Sequence, residues 1–241
     1  MRLTLGLLLL AVILVTGFGA LANAEEVKEK ALDAPHKVPI KVRMEGPYTA
    51  DVPLQVVCYF KYTPEGAKKM FDAPVELDKR LGGVIASLRA RGQFVGEQLE
   101  TILITPPKES IKAKALLLVG LGDEDGLSLN LMEAVGRVSL REAARLGASR
   151  VAFAPLIRDQ GNTKFGTGDV ARSVVRGMLL AYDTEKRLQK EGLSKDFTLA
   201  QWNVEAGPKY FDDTVEGVQK AIEESAKAIE NRGTDPLLTG H

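Results

Sequence analysis

The feature that most constrains this chain is the change of hydrophobic period along its length. Short apolar runs bounded by Pro, Gly and charge, over residues 54–60, 99–104, 115–121, 151–154 and 197–204, have the length and composition of buried strands. Between them apolar residues recur at three and four. Leu77, Leu81, Val84, Ile85 and Leu88 predict one amphipathic helix over 74–91, with Pro74 in its first turn. Leu131, Val135, Val138 and Leu146 predict a second over 128–146, stopped by Gly147. Val170, Val174, Met178 and Tyr182 share one face of a third, capped by Thr167 or Asp169. Phe211, Val215, Val218, Ile222 and Ile229 stripe the last. Strands alternating with helices specify an α/β fold: a three-layer α/β/α sandwich on a mixed, mostly parallel sheet, occupying 54–232 with a tail at 233–241.

The flanking N-terminal segments differ in kind. Arg2, the apolar run 5–15 and the Ala22-Asn23-Ala24 site have the layout of a secretory signal peptide spanning 1–24. An exported protein, periplasmic or extracellular, is expected. The alternative is an uncleaved anchor, since apolar character continues to Leu21, and the membrane would then be met only through this segment. Residues 25–53 carry charge, Ala and four prolines, which predicts a linker and one half-exposed edge strand through Ile40, Val42 and Met44.

Charge narrows the function classes. Lys plus Arg number 32 against 32 Asp plus Glu, so the chain lacks the basic excess of a nucleic-acid binder, and 6% aromatics makes a poor base-stacking platform. No nucleic-acid partner is expected. Cys58 is the only thiol and sits in an apolar run, where an inert core side chain is expected. His36 lies in the Pro-rich lead-in and His241 at the end, where neither is expected to be fixed by packing, so no His-based triad or zinc site is expected, and no Gly-x-Ser-x-Gly is present.

Five segments in order, 56–60, Leu77-Asp78-Lys79-Arg80-Leu81-Gly82-Gly83, Leu116-Leu117-Leu118-Val119-Gly120-Leu121-Gly122, Arg145-Leu146-Gly147-Ala148 and Gly177-Met178-Leu179-Leu180-Ala181-Tyr182, resemble the N-terminal domain of the leucyl (cytosol) aminopeptidase family. The resemblance covers roughly 54–232 and implies a macrodomain-like fold, the non-catalytic lobe of a two-lobed metallopeptidase. It also implies that the paired-metal site belongs to a C-terminal domain containing Asn-Thr-Asp-Ala-Glu-Gly-Arg. Asn162-Thr163-Lys164-Phe165-Gly166 shares only the first two letters and offers Lys where a carboxylate ligand is needed. The segment 233–239 is similar to the junction at which that domain begins. A stand-alone N-terminal lobe is the reading, without cofactor or metal.

Two glycine turns and one loop are the candidate ligand-binding positions. Gly120 and Gly122 follow a strand, as a phosphate-cradling turn would, but Asp123, Glu124 and Asp125 crowd the place of an anion, and a solvated acidic turn is the plainer expectation. Those carboxylates also lack the spacing of a calcium loop. Gly82 and Gly83 resemble the Gly-rich segment that macrodomains place near ADP-ribose; otherwise they mark close packing or a helix that starts after Gly83. In the loop 155–169, Arg158, Asp159, Asn162 and Lys164 are the polar side chains placed to line a cleft. Two function classes stand. One is a secreted, non-catalytic binding or assembly module, holding a protein partner, a second copy or a small ligand. The other is an enzyme, either an aminopeptidase subunit that needs a catalytic partner or an ADP-ribose-directed protein.

Overall fold

The computed structural model describes residues 27–237. The leader assigned to 1–24 therefore lies outside the described residues. Seven strands form one sheet: β1 (Glu29–Ala34), β2 (Val38–Arg43), β3 (Leu54–Tyr59), β4 (Thr101–Ile104), β5 (Ala115–Gly120), β6 (Arg150–Ala154) and β7 (Gln201–Glu205). Their spatial order is β1-β2-β7-β6-β3-β5-β4. The five inner strands run parallel, while β1 and β4 close the two edges antiparallel.

Side-chain alternation on these strands divides the core in two. Val56, Cys58, Leu117, Val119, Phe153 and Trp202 face one layer of helices, α4 (Leu129–Leu146), α5 (Thr167–Lys190) and α6 (Phe211–Glu230). Val57, Tyr59, Leu116 and Leu118 face the other way, against α2 (Ala73–Arg80) and α3 (Val84–Ala90), preceded by the short α1 (Pro64–Lys69). The result is the expected three-layer sandwich. Cys58 is buried, and desolvation pushes its thiol far above the usual range.

Several local expectations are corrected. The stretch read as a linker contains β1, which takes the edge and leaves β2 second in the sheet; Glu29 pairs across the strands with Lys41 and Arg43. The single helix expected over 74–91 is two, because Gly82 (φ 69°) and Gly83 (φ 80°) are left-handed. A Cβ at either position would meet open space, so backbone conformation and not close packing is what those glycines supply. Asp78 Oδ1 then accepts from the Ile85 and Ala86 amides and caps the new helix. Ser128 caps α4 through the Leu131 amide, and Gly147 (φ 67°) ends it, as the pattern predicts. For α5 neither Thr167 nor Asp169 serves: Asp213, at the start of α6, accepts from the Thr167 hydroxyl and the Gly168 amide.

His36 is also fixed by packing, contrary to expectation. It sits at φ 59° in the tight β1–β2 turn. There Nε2 lies 3.0 Å from Asp183 Oδ1 and the ring meets Tyr182 edge-on. Asp183, 2% exposed, also accepts from Arg187 Nε at 3.0 Å and from an Arg232 guanidinium nitrogen at 2.8 Å. One carboxylate thus ties the first hairpin and the end of α6 to α5. Burial alone would raise its pKa, but the bonds from Arg232, His36 and Arg187 outweigh that and hold it below the ordinary value. The contribution is present at neutral pH and is lost as pH falls through the lowered pKa. Asp183→Asn should therefore cost about 1–2 kcal/mol in urea unfolding at pH 7, with the deficit shrinking toward pH 3. A deficit independent of pH would mean that the charge is not what holds this node.

Candidate functional site

The carboxyl ends of β2, β7 and β6 open into a cleft of about 680 Å³, the place where parallel α/β sheets present ligands. Residues 44–48 leaving β2 form one wall. Residues 154–159 leaving β6 and the first residues of α2 form the other, and the first turns of α5 with residues 204–210 form the floor. Much of the lining is apolar, including Leu156, Ile157, Phe165, Val170 and Tyr210. Two non-glycine residues in this lining have positive φ, Asp72 (49°) and Leu156 (54°), a conformation that costs energy and concentrates at binding sites.

The walls are acidic. Glu45, Asp72, Glu76, Asp159 and Glu205 line the cleft against only Arg158 and Lys209. Glu205 ends β7, opposite Arg43 in the register, and is 7% exposed. Neither of its carboxylate oxygens has a hydrogen-bond partner; Gln55 faces the group without closing a bond of normal geometry. Desolvation, reinforced by the Glu45 carboxylate, raises the Glu205 pKa well above its ordinary value, against smaller opposing effects of Gln55 and Arg43. Glu45 is raised as well, by burial, although Arg43 donates to it at 3.0 Å. On the opposite wall, burial and the neighbouring Asp72 push Asp159 up to about 6, despite a hydrogen bond from the Ala73 amide.

The two cations are already engaged. Arg158 donates to the Phe165 carbonyl at 2.9 Å and stands 5.6 Å from the Tyr210 ring centroid, and Lys209 stands over the same ring at 5.6 Å. Of the three helix N-termini at the cleft, two meet carboxylates of the chain itself, Asp213 at α5 and Asp159 at α2, while α6 starts after Tyr210 with no side-chain cap. Among the described residues no three His, Cys, Asp or Glu side chains converge as metal ligands.

Of the eight candidate positions, Arg158 and Asp159 line this cleft. Gly82 and Gly83 lie in the α2–α3 turn. Gly120 and Gly122 are covered by the chain: a Cβ on Gly120 would stand 2.0 Å from the Glu97 carbonyl oxygen, and the Gly122 amide donates to the Gly96 carbonyl. That glycine turn is therefore filled by the 96–98 loop. Lys164 Nζ donates to the carbonyls of Asp125 at 3.0 Å and Leu127 at 2.9 Å, and Asn162 Nδ2 reaches the Glu124 carbonyl. These two side chains latch the loop to the acidic turn after β5. Gln160, which composition did not single out, does more: its amide accepts from the Phe60 amide and donates to the carbonyls of Cys58 and Leu156. It fixes the loop that presents Arg158 and Asp159.

Residues 56–192, more than half the chain, match the family model described as "Cytosol aminopeptidase family, N-terminal domain". The chain belongs to this family. The probable cytosol aminopeptidase of Thermosynechococcus vestitus is 26% identical over 130 residues, which are 54% of this chain and 25% of that protein. That of Alkaliphilus oremlandii is 28% identical over 141 residues, 56% of this chain and 28% of the relative. The chain thus spans about a quarter of the length of the curated relatives it matches. Among solved structures, a tomato leucine aminopeptidase variant superposes with a TM-score of 0.57 at 16% identity, covering 83% of this chain and 38% of that one. The Oceanobacillus iheyensis macrodomain with ADP does so at 0.54 and 10% identity, covering 83% and 99%. These likenesses establish the fold, a macrodomain-like α/β sandwich, in agreement with the sequence reading.

Proposed function

We propose that the protein is an exported, non-catalytic binding module of aminopeptidase descent, which holds its ligand in the cleft at the ends of β2, β7 and β6. The observation that carries this reading is a preformed cleft with two strained residues in its lining and carboxylates that do not converge on a metal position. The relatives named as probable aminopeptidases are proteins of which this chain spans about a quarter, and the family model that it matches describes an N-terminal domain.

The purified protein, supplied with zinc or manganese, should leave Leu-p-nitroanilide intact, and its melting temperature should rise with at least one low-molecular-weight component of a cell-envelope extract. Gly207→Trp should abolish that rise: Gly207 lines the cleft with ordinary φ, and a Cβ there meets nothing closer than Tyr210 at 3.8 Å, so the ring fills the cleft without disturbing the backbone. Sustained peptide turnover, or a ligand whose effect survives Gly207→Trp, would overturn the proposal.

A further inference from the structure

We infer that Glu205, Glu45 and Arg43 form a proton-operated latch beneath the segment 44–53, closed while the Glu205 carboxyl holds a proton and released when it ionises, so that the 44–48 wall of the cleft loosens as pH rises. The latch is a property of the fold and holds whatever the cleft binds. It is built on the sheet face under that segment. Gln55 on β3, Ala152 on β6 and Asn203 on β7 lie in one row across the sheet, and one row further along Val57 stands beside Ala154 and Glu205 beside Arg43. The two alanines on β6 leave room there for long polar side chains. Ala50 and Val52 roof Ala152 over, and Tyr48 packs against the cluster that contains Ala154. The Glu205 carboxyl is turned into this layer: both oxygens lack accessible surface and a hydrogen-bond partner, in company with the unpartnered Gln55 Oε1 and Asn203 Nδ2.

The charge balance makes this layer a latch. Lys41 and Arg43 on β2 are matched by Glu29 on β1, which meets both, and by Glu45, whose side chain is 4% exposed and accepts from Arg43 at 3.0 Å. The charged groups that face Glu205 are Glu45 and Arg43; those that face Glu45 are Arg43, Glu29 and, from the stretch before β5, the exposed Lys112. A protonated Glu205 leaves this set balanced. Ionised, it adds a further anion that has neither water nor a bonded donor and is repelled by Glu45, so the closed arrangement becomes costly and hydration relieves it. Burial and Glu45 accordingly hold the Glu205 proton to higher pH than an ordinary carboxyl does.

The segment 44–53 is the part that can give way. It contains no helix or strand, and its buried anchors Ala50 and Val52 belong to a cluster of small side chains with Ala113 and Ala152. Its tethers to the next stretch are the Lys112 and Lys114 amides, which donate to the carbonyls of Tyr48 and Val52, and Arg80 stands over the Tyr48 ring at 4.5 Å. Strands β2, β3 and β7 are each paired on both sides. Local opening takes the region with the least buried apolar contact, which here is the cover of the polar layer.

Hydrogen exchange of the full chain, followed by mass spectrometry at pH 6 and pH 9 and corrected for intrinsic exchange rates, tests the latch. Protection of the Lys112 and Lys114 amides, and of the Thr49 amide that donates to Gly46, should fall at least about tenfold between the two conditions, while that of the β5 and β6 amides should change less. Glu205→Gln should abolish the fall. Glu45→Gln should reduce it, because one repelling carboxyl is gone, and Asp51→Asn, which removes an exposed charge from the same segment, should leave it intact. Protection that is independent of pH in the wild type, a fall that survives Glu205→Gln or is undiminished in Glu45→Gln, or an equal fall in β5 and β6 would overturn the inference, the last because it would mark general loosening of the fold.

Discussion

Gly177→Ala should destabilise the protein by about 3 kcal/mol or more, lowering the melting temperature by roughly 10 °C, although it adds a single methyl group to a helix. In an exposed helix the same exchange is favourable by nearly 1 kcal/mol. Here the added carbon would stand 1.9 Å from the carbonyl oxygen of Glu133, on the backbone of α4. Gly136 on α4 stands in the reciprocal position, with its missing Cβ 2.0 Å from the Val174 carbonyl of α5. The two helices touch backbone to backbone at both points. Neither backbone can turn aside as a flexible side chain would, so α5 must move off α4 and carry the first turns of α5 with it, which are part of the cleft floor. Gly126→Ala is the control: its new carbon would meet nothing closer than Gln98 at 3.7 Å, and a change within about 0.5 kcal/mol is expected. Equal midpoints for Gly177→Ala and the wild type in urea would contradict the close approach.

Gly177 belongs to a segment that carries the family resemblance, and its role shows which properties are readable in one dimension. The layer architecture was legible because strand and helix periods alternate over most of the chain, and each apolar position reports its own burial. What failed was decided by partners distant in sequence. Residues 29–34, Glu-Lys-Ala-Leu-Asp-Ala, have no strand composition, and their extended form comes from pairing with β2 in register. The hydrophobic period runs unbroken across Gly82 and Gly83, and only the glycine pair itself, with the option of a helix that starts after Gly83, marks the left-handed turn between α2 and α3. The cap of α5 comes from Asp213, more than forty residues along the chain.

The cleft divides in the same way. Arg158 and Asp159 were accessible to inference because a polar loop after a core strand is where binding groups collect. Glu45, Asp72 and Glu205 were not, since a carboxylate in a sequence looks like a solvated charge until the fold buries it. The one local sign was Glu205 closing the run Trp202-Asn203-Val204, a charge at the carboxyl end of a strand that is otherwise buried. Gln160 gave no sign at all, because its three partners are backbone groups of β3, of the residue that follows it and of the turn after β6.

Glu205→Gln should raise stability at pH 8, by about 2–3 kcal/mol, and leave it unchanged near pH 4. The sign follows from the direction of the pKa shift. Because the folded protein raises the Glu205 pKa well above the unfolded value, the native state holds a proton that the unfolded chain releases, and stability falls as pH rises between the two values. The slope for one such proton is about 1.4 kcal/mol per pH unit. An amide has no proton to lose, and its NH₂ can donate to Gln55 Oε1, a buried acceptor that is itself unpartnered. The wild type and the variant should therefore melt together in acid and separate as pH rises, which a pH series of thermal melts reads directly. Loss of stability at pH 8 would instead mean that the carboxylate holds the 44–48 wall in place, and the cleft would then owe its acidity to architecture alone.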